Sequence, residues 1–191
     1  MLQLIIGLVL FLGIHSVSIV ARPWRNAMVT RLGEWPWKGL YSVVSLIGLV
    51  LIVRGYAAAR FDPVVLYSPP AWTHHVAMLL MLVAFPALLA AYVPGGIQRV
   101  LKHPMLVAVK AWALAHLLVT GTLAAVVLFG SFLAWAVADR ISVKRRPQGA
   151  TFQARASRAN DVIVLVGGLA LYLAFVFWLH GMLFGVPLIS R

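Results

Sequence analysis

Residues 105–139 read MLVAVKAWALAHLLVTGTLAAVVLFGSFLAWAVAD. Only Lys110, His116 and Asp139 interrupt this apolar run of 35 residues with ionisable groups. A helix crosses the roughly 30 Å apolar core of a bilayer in about 20 residues, so the run is too long for one span. It contains one break, Thr120-Gly121-Thr122, a cluster suited to a tight turn. The reading is therefore two antiparallel helices, at about 105–121 and 122–139. Working outward, four more apolar runs of spanning length lie at 2–21, 39–58, 72–92 and 161–183. The expected fold is all-α: a polytopic integral membrane bundle of six transmembrane helices, forming one transmembrane domain over residues 1–191.

Composition agrees. Of the 191 residues 63% are hydrophobic and only 10% charged, against roughly 25% charged in soluble domains. This excludes a soluble enzyme and a disordered tail. With no cysteine in the chain, iron–sulfur clusters, thiolate zinc sites, cysteine nucleophiles and disulfides are excluded too. The first run has neither a basic leading region nor an A-x-A-like cleavage site, so it is expected to stay as a helix.

The net charge of +12 is distributed by side. Alternate connections carry Arg22, Arg25, Arg31 and Lys38, then Arg99 and Lys102, then Arg140, Lys144, Arg145, Arg146, Arg155 and Arg158. The other connections and the tail carry only Arg54, Arg60 and Arg191. Lysine- and arginine-rich loops stay in the cytoplasm, so both termini are expected on the periplasmic side. This topology, with attraction to anionic lipid, accounts for the basic charge; membrane lipid and not nucleic acid is the expected partner. Residues 147–160 are the one linker-like run.

Ionisable groups at membrane depth are functional candidates by default. Here they are His15, Lys110 and His116. Two histidines on separate helices, with few carboxylates and no cysteine, suit haem iron better than zinc or a di-iron site. By helical rise His15 lies about 9 Å, and His116 about 18 Å, from the basic ends of their helices. Phe11 and Arg22 share the face of His15, and Trp112 shares that of His116. Arg22 and Lys110 are the candidate partners for haem carboxylates. Trp24, Trp35, Trp37, Trp72 and Trp178 map to the interfaces as aromatic belts, and His74, His75 and His180 lie at the other, base-poor end. Gly130, Ala134 and Ala138 form a small-residue stripe expected to be a close-packing seam.

These residues carry a resemblance. Gly13-Ile14-His15-Ser16, Trp37-Lys38-Gly39-Leu40-Tyr41-Ser42, Lys102-His103-Pro104-Met105-Leu106, Trp112-Ala113-Leu114-Ala115-His116-Leu117 and Leu133-Ala134-Trp135-Ala136-Val137-Ala138-Asp139-Arg140 resemble the NnrU family. That family is associated with nitrite and nitric oxide reduction in denitrifying bacteria. It is similar to plant 15-cis-ζ-carotene isomerase, a membrane haem b protein in which the redox state of the haem controls cis–trans isomerisation. The resemblance implies haem b, with His15 and His116 as its ligands, a bacterial inner membrane location and a hydrophobic polyene as substrate. The plant pattern's cysteine falls on Ala113, so no thiolate ligand exists here. Three other readings stand beside it: a denitrification-linked redox role for the haem, a non-enzymatic membrane factor for nitrite or nitric oxide reduction, and an isoprenylcysteine methyltransferase-like enzyme using His103 and Pro104. Pro104 also suits the first turn of a helix.

Overall fold

The computed structural model describes residues 1–145 and 157–189. Its helices are α1 (Leu2–Val20), α2 (Arg22–Leu32), α3 (Glu34–Ala59), α4 (Thr73–Ala90), α5 (Gly96–Leu101), α6 (Pro104–Val119), α7 (Leu123–Lys144) and α8 (Arg158–Ala174). A π-turn at Phe175–Leu179 carries α8 into α9 (His180–Phe184). Among the described residues α1, α3, α4, α7 and the continuous stretch Arg158–Phe184 are long and apolar enough to cross a membrane. The sixth expected span, α6, is a shorter apolar helix of 16 residues, about 24 Å long by helical rise. The chain is a multi-pass membrane protein.

Three features depart from the expected helix limits. α3 begins at Glu34, not 39, because Pro36 lies in its first turn, where no backbone N–H is needed. α2 and α5 occupy stretches read as loops. Of the linker-like run, 147–156 lies outside the described residues, and α8 opens within the remainder.

The residues group into two compact units. The first takes in Met1–Ala71 and, from His116, the end of α6 and α7. Here α1 and α3 run antiparallel in close backbone approach. A Cβ at Gly7 would lie 2.6 Å from the Ile52 nitrogen, and one at Gly48 would lie 2.8 Å from the Phe11 nitrogen. One at Gly55 would run into the backbone of Leu4. Small residues allow such contact where lipid supplies no hydrophobic drive to associate. The expected seam at Gly130, Ala134 and Ala138 is not this one: a Cβ at Gly130 meets nothing, and the two alanines are exposed. α7 instead buries Ala124, Ala125, Leu128, Phe129 and Ala136, and it offers α1 an aromatic edge through Phe132 and Trp135.

The turn expected at Thr120-Gly121-Thr122 is present and clasped. Leu66 and Tyr67 donate their backbone N–H groups to the Gly121 carbonyl at 2.8 and 3.2 Å, and Leu123 donates to Val64 at 2.8 Å. The Tyr67 hydroxyl donates to the carbonyls of Leu117 and Thr120. A side chain at Gly121 would strike the Tyr67 carbonyl. Thr122 caps α7 by accepting from Ala125 at 3.3 Å. Tyr67→Phe removes one hydroxyl and leaves two helix-end carbonyls short of a donor. The expected loss is about 1 kcal/mol, a fall of about 2–4 °C in melting temperature, read by thermal unfolding in detergent.

In the second unit α8 lies against α4, with Gly168 facing Pro86 so closely that a Cβ would come within 2.7 Å. Phe85 meets the rings of Tyr172 and Phe175 at 6.3 and 5.1 Å. Asp161 caps α5 from outside: its Oδ1 accepts from the Ile97 N–H at 3.0 Å, reached over two glycines, Gly95 and Gly96, whose missing side chains make room. Asn160 adds a 2.7 Å bond to the Pro94 carbonyl. Asp161→Ala is expected to destabilise this unit by roughly 1 kcal/mol, as loss of a helix cap does, again read as a lower melting temperature.

Candidate functional site

His15 stands in α1 among aromatic rings. Its Nδ1 donates to the Phe11 carbonyl one turn back at 2.6 Å. A carbonyl only accepts, so a neutral imidazole bonded this way carries its proton on Nδ1 and keeps the Nε2 lone pair. The ring stacks on Phe11, centroids 4.3 Å apart and planes 24° apart. Tyr41 of α3 lies at 5.0 Å and Trp135 of α7 at 6.0 Å, the latter edge-on. Phe132 closes the group against Phe11 at 5.7 Å. One polar atom here, the Trp135 indole Nε1, is buried without a hydrogen-bond partner among the described residues. Buried polar atoms are nearly always paired, so each such exception calls for an explanation.

His116 has a different neighbour. It stacks on Phe129 of α7, with centroids 4.4 Å and planes 19° apart, and Phe129 in turn meets Tyr56 of α3 at 6.0 Å. Phe129 and Trp135 are six residues apart on one helix. That is about 9 Å along its axis and about 120° around it. The two histidines thus contact different levels and different faces of α7.

The other expected site residues divide between the units. Arg22 belongs to the first, at the foot of the His15 face. Lys110 and Trp112 lie on the part of α6 assigned to the second. His103 and Pro104 take up helix-start geometry, with Leu106 and Val107 donating to the His103 carbonyl at 3.1 and 3.2 Å. His180 is tied to the Val186 carbonyl at 2.7 Å. His74 and His75 are exposed in the first turn of α4. Of the neighbours of His15, sequence reasoning found Phe11 but not Tyr41 or Trp135. A signal for Trp135 was present: like Trp112, it lies outside the interfacial belts.

The family model described as NnrU protein matches residues 3–188, nearly the whole chain. The chain belongs to the NnrU family. The match takes in His15, Arg22, Lys110, Trp112 and His116 and runs through both compact units of this NnrU protein. No curated protein and no solved structure matches it.

Haem b, the group implied by the resemblance, can be tested against the donor set of this NnrU protein. His15 fits as a ligand: its remaining nitrogen is the lone-pair one, and the hydrogen bond that fixes its tautomer is the usual support of a metal-ligating histidine. Flat aromatic walls suit a macrocycle, and an indole N–H without a partner suits a polar ligand atom. His116, the second ligand the resemblance implies, has its ring stacked on Phe129.

Proposed function

We propose that this NnrU protein binds haem b through His15 and serves a redox-linked reaction of a hydrophobic polyene, in the manner of ζ-carotene isomerisation, in a bacterial inner membrane. The observation that carries the reading is the His15 imidazole at membrane depth, with its tautomer fixed by Phe11 and its surroundings made of aromatic rings. The chemistry supplied by a bound haem is one-electron exchange with a conjugated chain, and tuning it is the protein's part. Phe11, Tyr41 and Trp135 orient the imidazole and exclude water. The indole N–H of Trp135 offers a hydrogen bond to a polar group held there. The apolar faces of the spanning helices admit a substrate that is itself dissolved in lipid.

The experiment is an absorption spectrum of protein purified in mild detergent. A Soret band with haem b extractable in acid acetone is the expected result. A colourless preparation from haem-replete cells that still restores nitrite or nitric oxide reduction would overturn the reading in favour of a non-enzymatic membrane factor.

A further inference from the structure

Below the His15 nest, at the basic end of the helices, α1 and α7 frame a groove of about 370 Å³. It is lined by Ser18, Ile19 and Arg22 from α1 and its junction with α2, and by Ala138, Ser142 and Arg145 from α7, among others. The two helices run side by side in the same direction, since Phe11 meets Phe132 and His15 meets Trp135. Continuing each face at helical spacing leads from His15 through Ser18 and Ile19 to Arg22, and from Trp135 through Ala138 and Ser142 to Arg145. Two arginines and two serines therefore line the groove, and among the described residues no carboxylate does. Above them the walls are Ile19, Ala138 and the aromatic nest.

We infer that this groove binds the phosphate headgroup of an anionic phospholipid, with an acyl chain running up the α1–α7 face. Arginine presents planar N–H pairs matched to phosphate oxygens. Basic pockets between membrane helices recognise anionic headgroups in this way. The small Ala138 leaves the width that a chain needs. The site is independent of the reading at His15, because its lining residues are Ser18, Arg22, Ser142 and Arg145, not the imidazole.

The test is native mass spectrometry of the purified full-length protein titrated with phosphatidylglycerol and, separately, phosphatidylcholine. It compares Arg22→Gln, Arg145→Gln and the control Arg31→Gln, which removes the same charge from exposed α2 outside the groove. Each groove variant is expected to weaken phosphatidylglycerol binding roughly fivefold, the share of one basic residue near a membrane surface. Phosphatidylcholine binding and the Arg31→Gln protein should be unchanged, with circular dichroism confirming intact helix content. An equal loss in Arg31→Gln would overturn the site in favour of bulk surface charge. Displacement of the lipid by millimolar inorganic phosphate alone would make it a soluble-phosphate site and overturn the lipid assignment. Loss of Soret absorbance in the groove variants with unchanged phosphatidylglycerol binding would assign the arginines to haem carboxylates, and would overturn it as well.

Discussion

His15→Ala protein is expected to purify without a Soret band, while His116→Ala keeps most of its own. Both histidines lie on apolar helices and both touch α7; the Nδ1 of His15 is committed to a backbone carbonyl, which leaves its other nitrogen as a donor to metal. His116 is stacked on Phe129, about a turn and a half further along α7. Removing an axial histidine takes away the iron's attachment, so the expected loss of haem is near complete. Removing His116 deletes a ring-on-ring contact worth about 0.5–1.5 kcal/mol. The measurement is Soret absorbance per mole of protein in wild type and both variants. Equal loss in both would mean that the two imidazoles meet on one iron after leaving the packing described here. Full retention in His15→Ala would remove His15 as a ligand.

The second large effect lies in the α1–α3 seam. Gly55→Val is expected to abolish the folded first unit, and Gly48→Ala to weaken it. At Gly55 even a single added carbon collides with the backbone of Leu4, which cannot rotate away as a side-chain tip can. At Gly48 the first obstacle is the Phe11 nitrogen at 2.8 Å, and the Phe11 Cβ follows at 3.0 Å. Overpacking of this kind costs typically 1–3 kcal/mol, and more when backbone must shift. Because Phe11 is also the partner of His15, Gly48→Ala should disturb the nest before it unfolds the helices. Size-exclusion profiles and thermal melts in detergent measure the first effect, and the near-ultraviolet aromatic signal measures the second. Gly130→Ala is the control: it meets nothing within 4 Å and should leave all three readings unchanged.

The spanning helices were legible because apolar length is a strong signal over twenty residues. The turn at Gly121 was legible because three small or polar residues interrupt an otherwise unbroken run. α2 was not, since its sequence RPWRNAMVTRL is too polar to read as a buried helix. Only Pro23 near its start gave a local cue. The seam was misplaced for a different reason. Gly130, Ala134 and Ala138 share a face, but so do Gly48 and Gly55, and spacing within one helix does not say which helix comes to meet it. The same limit hid Trp135 and Phe129 as partners of the histidines.

The clasp over Gly121 has a consequence for biosynthesis. Its acceptors and donors, Leu117, Thr120, Gly121 and Leu123, leave the ribosome some fifty residues after Val64, Leu66 and Tyr67. The earlier segment must therefore wait for its partners while α4, α5 and α6 are made. A nascent chain halted before α7 would expose this waiting edge to proteases or chaperones, and completing the hairpin would hide it.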